Sequence, residues 1–397
     1  MTSIDNYMYW FMQWVEDGKG NAYFSAVNDN NLYKIDLKTN KVNKICQFRG
    51  QPFNKQLYRG GLFSGDNVYF PPRMADKMAV YNTITSELSY VDMNENYTGN
   101  HRVSLVPNNQ GYISLKDIKG NCWFIYRNSP VCVRMDPENG KFDYITCEET
   151  GKEYILGTEY LQLGNLVYIP VKGKNLILKL DMYNCSLELL TIGKKEEMLY
   201  SLTLNDDGCI CMLSYNEPGI VSWDPDADKF RRIADLPLSK IEYEKELIIR
   251  SAGDHFRVFP GLDLSGGNGC VYTVEKATGA VKKETLFESY EDNTKYIMNI
   301  TDDKFWYFMS ECGEDPFMTQ KGRYVLYDCR NNRISETKLS VPEGETTESM
   351  SKRLKEYDKK VNFSMCCNEN ITYLENRTYD FSCFLSGVLH YDKGTDA

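Results

Sequence analysis

Histidine is almost missing from this chain, with three in 397 residues. A metal centre ligated by imidazole needs several at fixed spacing, so no metal is expected. No H-E-x-x-H, no G-x-S-x-G and no glycine-rich phosphate loop leading into a helix occurs. Those absences remove the common zinc-peptidase, serine-hydrolase and nucleotide-binding signatures, and no cofactor is expected. No apolar run approaches the about 18 residues that a membrane-spanning helix needs. Basic residues are in deficit, 46 Lys and Arg against 56 Asp and Glu, for a net charge of -10. Such a chain repels phosphate backbones, so a nucleic-acid partner is not expected. Met1 to Trp14 lack the basic start and small-residue cleavage site of a secretory signal. The 13 cysteines are odd in number, scattered and without a C-x-x-C pair. They fit buried free thiols in a reducing compartment, so the expectation is a cytoplasmic monomer.

What the chain does have is aromatic side chains and turn formers: 29 Tyr, 18 Phe and 28 Gly. This enrichment favours strands over helices. A repeat organises them. Each copy opens on a Gly or Asp turn and continues with an aromatic-rich strand and a polar loop. A second strand follows, ending near an Asp, then a tight polar turn and a third strand. The copies begin at Gly20, Gly65, Gly120, Gly164, Gly208, Gly253 and Asp303. A second landmark, the polar residue closing the middle strand, keeps the same register at Asp36, Asn82, Asp136, Asp181, Asp224, Lys276 and Asp328. Ahead of each leading residue lies one more short strand, such as Leu199 to Asn205 or Leu247 to Ala252. Four antiparallel strands in about 45 residues, repeated, is the pattern of propeller blades. The fold expected is all-β, a seven-bladed β-propeller of four-stranded blades, with eight blades as the alternative.

The chain reads as one domain over 1–397, with 342–397 a helical linker plus closing strands. Met350, Leu354 and Tyr357 stand at i, i+4 and i+7, which predicts a short helix. Further strands are expected over 362–370 and 371–379, clasping the ring or starting an eighth blade. Asp224, Asp226 and Asp228 mimic the start of a calcium loop, but Lys229 stands where the sharp turn needs glycine. They also fall in the hairpin slot of the repeat, and turn chemistry accounts for them.

The units Leu32-Tyr-Lys-Ile-Asp36, Val131-Cys-Val-Arg-Met-Asp136, Ile177-Leu-Lys-Leu-Asp181, Gly219-Ile-Val-Ser-Trp-Asp224 and Tyr324-Val-Leu-Tyr-Asp328 carry a family likeness. The chain resembles the β-propeller superfamily, especially divergent kelch-like and streptogramin-lyase-like propellers of bacteria. The likeness covers nearly the whole chain and rests on strands and turns. Gly60-Gly61 and Gly266-Gly267 are isolated where kelch repeats carry a glycine doublet in each copy. The superfamily holds binders, scaffolds and enzymes, so the fold does not choose among them.

Propeller sites gather where innermost strands meet the central channel. The polar residues expected there are Arg59, His101, Arg102, Glu159, Arg250 and His255, as ligand-binding candidates. Arginine matches carboxylate or phosphate through two parallel hydrogen bonds. Two long insertions, 260–269 and 311–322, occupy the same slot in adjacent units and should project from one side as a partner surface. The function expected is a non-enzymatic binding or scaffold propeller that presents a disc face to a protein, peptide or glycan partner. The alternative is a small-molecule lyase or hydrolase at the channel.

Overall fold

The computed structural model describes residues 13–26, 29–51, 57–93, 112–127, 131–146, 155–157, 159–194, 198–238, 247–260, 269–287, 300–301, 304–310, 322–337, 339–340, 342–346, 348–350, 352–357 and 359–360. Their strands form seven four-stranded antiparallel sheets, each built from one contiguous stretch of chain. Blade 1 runs Val15–Gln47, blade 2 Leu62–Val91, blade 3 Tyr112–Thr146 and blade 4 Leu161–Thr191. Blade 5 runs Leu199–Asp235, blade 6 Leu247–Phe287 and blade 7 Ile300–Thr337. The seven blades are the seven sequence copies, in register.

Both landmarks have a local physical cause. The six leading glycines, at 20, 65, 120, 164, 208 and 253, all hold positive φ, between 57 and 92°. They turn the first strand into the second, a conformation that costs other residues steric strain. The closing Asp or Asn bonds its own turn. Asp36 accepts from the N–H groups of Lys38 and Thr39, at 2.9 and 3.0 Å. Asn82, Asp181 and Asp224 do the same in their blades. The backbone hydrogen bonds from Thr39 and Lys38 hold the Asp36 carboxyl below its usual range. The Asp224–Asp228 segment is one of these turns.

Packing follows from the pleat. In the second strand of blade 3, Cys122–Tyr126, all five side chains are buried. Cys122, Phe124 and Tyr126 pack on blade 2, against Leu62, Tyr69 and Met78. Trp123 and Ile125 point the other way, to Val167, Ile169, Leu178 and Leu180 of blade 4. A sheet covered on both faces carries continuous apolar runs rather than alternation. Seven apolar clusters result, one for each pair of neighbouring blades. The seventh joins Ala22, Phe24, Tyr33 and Ile35 of blade 1 to Tyr324 of blade 7, and the ring is closed.

No strand is shared between the chain ends in the described blades. Instead residues beyond blade 7 lie on blade 1. Ser340 Oγ accepts the N–H of Val42 at 2.9 Å, and the N–H of Ser340 donates to the Asn40 carbonyl at 3.2 Å. A helix over 348–350, 352–357 and 359–360 follows. Thr346 and Ser349 cap its start reciprocally. The predicted stripe is buried, and Met350 and Leu354 join the blade 1 and blade 7 cluster. Arg353 completes the strap. It donates to the Tyr33 hydroxyl at 2.9 Å and pairs with Asp29 at 3.5 Å and Glu345 at 2.5 Å. The strands expected beyond 361 lie outside the described residues. Among those described, no helix is long and apolar enough to cross a membrane.

Burial pushes the Asp29 carboxyl above its usual range, and the bonds from Tyr33 and Asn31 and the charge of Arg353 pull it back only in part. Its ionisation therefore opposes folding as the pH rises through the folded value. Arg353→Ala removes a nearby counter-charge. The variant is expected to lose about 3 kcal/mol at pH 8. The loss should be clearly smaller at pH 5, where Asp29 can take up a proton. Urea unfolding at the two pH values measures this, and an equal loss at both would contradict it.

Candidate functional site

The disc has unequal faces. Connections between first and second, and between third and fourth, strands are two to six residues long. Those joining second to third strands, and one blade to the next, run from four to 20 residues and leave the opposite face. The insertions expected to project together fall in this second group, and their residues 261–268 and 311–321 lie outside those described. The innermost strand of every blade starts at this long-connection face and borders the channel.

Two sequence candidates meet there. Glu159 stands in the connection just before the innermost strand of blade 4, Leu161–Leu163. Arg250 lies in the innermost strand of blade 6, Leu247–Ala252. Arg250 Nη2 donates to Glu159 Oε2 at 2.6 Å. The pair skips blade 5 and so spans the channel. The Glu159 side chain is buried, at 7% exposure, and that of Arg250 is mostly covered, at 15%. Glu159 Oε1 is buried too and has no hydrogen-bond partner among the described residues.

Arg250 is held from several sides. Its Nη1 donates to the Ile249 carbonyl at 2.8 Å. Its guanidinium lies 5.3 Å from the ring centroid of Phe305 in blade 7. Phe305 is itself fixed edge-on by Phe259, 4.7 Å away between centroids. The strand carrying Arg250 is pinned by blade 5. Ser201 Oγ accepts the Ile249 N–H and Thr203 Oγ1 accepts the Ser251 N–H, each at 3.0 Å. Ser201 sits at a bulge in its strand with φ of 44°, a conformation uncommon for a residue with a side chain.

The other candidates fall elsewhere. Arg59, half-buried, stands just before the innermost strand of blade 2, on the same face as Glu159. The chain there approaches blade 1 closely: a Cβ on Gly61 would come within 2.4 Å of the Tyr69 carbonyl and 2.9 Å of Val15. His255 pairs with Ala252 and Glu275 at the short-hairpin end of blade 6, two positions along the strand from Arg257. His101 and Arg102 lie outside the described residues. No group of three His, Cys, Asp or Glu gathers as a metal ion would need among the described residues.

Arg257 is the residue that sequence reasoning missed. It is the direct cross-strand partner of Arg250. The signal was present, because the two-residue turn Gly253-Asp254 makes 250 and 257 opposite positions. Arg257 Nη1 donates to Thr273 Oγ1 and lies 3.8 Å from Glu284. Lys282, hydrogen-bonded to Glu284, holds that carboxyl below its usual range. Arg257 Nε is buried without a partner among the described residues.

Neither a protein-family model nor a curated relative matches the sequence. Solved structures do resemble the fold. A virginiamycin B lyase from Staphylococcus aureus matches at TM-score 0.51 and 14% identity, over 78% of this chain and 94% of that one. A streptogramin B lyase matches at TM-score 0.50 and 12% identity, over 77% and 92%. This chain is therefore a divergent seven-bladed β-propeller. At such identities the likeness is one of architecture, and the site has to be argued from its own residues.

Removing Arg250 alone strands a buried carboxylate. Arg250→Met is expected to destabilise the fold by about 3 kcal/mol. The Glu159→Gln and Arg250→Met double variant should recover much of that loss, and a double-mutant cycle in urea reads the coupling. Simple additivity of the two changes would show that the pair does not bind the ring together.

Proposed function

We propose that the chain is a non-enzymatic binding propeller that takes its partner, a protein, peptide or glycan, at the long-connection face around the channel mouth. One observation carries this reading: the buried ion pair of Glu159 and Arg250 across that mouth. A purely structural centre would be expected to be apolar, because a buried ion pair is a poor source of stability. Long connections on a rigid ring also supply variable contact surface, as binding loops commonly do. A second reading, a small-molecule lyase or hydrolase at the channel, draws support from Glu159 Oε1. A buried carboxylate oxygen without a donor is available to accept a proton.

The test is a ligand-observed NMR screen of small sugars, short peptides and organic acids against the full chain. Bound compounds should be lost with Arg250→Ala and retained with Tyr183→Ala, which alters an exposed turn on the opposite face. The reverse pattern would overturn the site. Conversion of a bound compound into product would replace the binding reading by the enzymatic one.

A further inference from the structure

We propose that Arg250 forms an oxyanion site on the inner edge of blade 6, with the charge of Arg257 directly behind it, and that Glu159 occupies it as a displaceable placeholder. The inference rests on the binding reading above and gives its ligand a chemical class, a small molecule bearing a carboxylate or phosphate group.

The two partners of the ion pair are held very differently. Arg250 belongs to a regular strand, and that strand is fixed on either side of it by Ser201 and Thr203. Its guanidinium rests on Phe305 and on the Ile249 carbonyl, and both contacts remain if Glu159 leaves. Glu159 comes from a connection between blades. Its Oε2 accepts from Arg250, while Oε1 is buried without a partner among the described residues. A guanidinium fork binds a carboxylate or phosphate best through two parallel N–H donors. Glu159 uses one. A ligand able to use two gains a bond that the placeholder does not make, and the leaving Glu159 sheds the cost of a buried unsatisfied oxygen.

Arg257 sets the sign of the ligand. Two arginines directly opposite on one sheet face have Cβ atoms about 5 Å apart and repel each other. Arg250 faces blade 7 on the row of Ile248, and Arg257 shares the row of Phe259, both of which pack on blade 7. The facing carboxylates are Glu159 at the channel end and Glu284, 3.8 Å from Arg257, at the outer end. Glu284 is also engaged by Lys282, at 2.8 Å, and by Asn332, at 3.1 Å. When Glu159 moves out, Arg250 is left at the channel end without its counter-charge, and Arg257 stands behind it, engaged with Thr273 and Glu284 of the outer strands, a setting that an anion satisfies. A neutral or cationic ligand would leave that repulsion in place. The net charge of -10 works against anions at long range. Affinity must therefore come from local contacts rather than from steering.

The test is isothermal titration calorimetry on the full chain. Inorganic phosphate and glucuronate are the oxyanion probes, methyl glucoside the neutral one and putrescine the cationic one. Glu159→Gln keeps the shape of the side chain and removes the competing charge. It is expected to tighten oxyanion binding by about tenfold. Arg250→Gln should abolish binding and Arg257→Gln should weaken it, and Arg250→Lys, which keeps the charge without the fork, should fall between. The tighter of the two probes separates a phosphate ligand from a carboxylate. Glu159→Gln that leaves oxyanion binding unchanged, weakened or undetectable overturns the proposal. Arg250-dependent binding of methyl glucoside or putrescine also overturns it and leaves the binding reading standing. Oxyanion binding that ignores Arg250 removes both. If an arginine variant fails to fold, the Glu159→Gln titration still decides.

Discussion

A β-sheet that is apolar on both faces has to be covered twice, and every other feature of this molecule answers to that requirement. Each blade satisfies it by lying between two neighbours, so the stack can end only by meeting its own beginning. The energetic scale is set by side chains such as Trp123, Tyr33 and Phe24, which are fully buried. Each large apolar side chain so covered contributes on the order of 2 kcal/mol relative to exposure. Summed along seven interfaces, this far exceeds what any one polar contact adds. The polar groups in the ring are therefore free to be chosen for something other than stability.

Two of the places they occupy are ones where the stacking rule gives no instruction. One is the seam, where blade 7 meets blade 1 and the strap with Arg353 is laid across. The other is the axis, where innermost strands face no neighbour and Glu159 reaches Arg250. Both contain a buried carboxylate held by an arginine from a distant part of the chain, with the partners 324 positions apart at the seam (Asp29 to Arg353) and 91 at the axis. The seam carboxylate is engaged at both oxygens, with Asp29 Oδ1 taking the backbone N–H of Asn31 and Oδ2 the Tyr33 hydroxyl and the arginine. The axial pair is not, since one oxygen of Glu159 is left without a donor. That difference separates a contact made for closure from one that invites a further participant.

How much of this could be read in advance follows the range of the interactions. The blade unit was legible because its landmarks are local: a glycine with positive φ at one turn and an Asp or Asn bonded to its own turn at the other. The helical stripe of Met350, Leu354 and Tyr357 was legible for the same reason. Glu159 and Arg250 could be nominated separately, as unusual charges near innermost strands. Nothing in the sequence said that they would meet, because blades 4 and 6 are brought together only by ring curvature. Arg257 was recoverable from hairpin symmetry about Gly253-Asp254. The hydroxyls of Ser201 and Thr203 were not, since they act between blades on strand edges that no local pattern marks. His255 could be nominated on residue type alone, and its hairpin sets it opposite Ala252, two positions from Arg257 on the same strand.

The strap at the seam also has a meaning in time. Because each blade is contiguous in sequence, six of the seven interfaces join units that leave the ribosome one after the other. The seventh joins the first unit to the last. Until blade 7 has been made, blade 1 presents Phe24, Ile35 and Val42 with no neighbouring blade on that side to cover them. The nascent ring is an open arc with one adhesive end, and its exposure to wrong partners lasts for nearly the whole of synthesis. A clasp encoded after the last blade lets the seam be sealed only once every blade is in place.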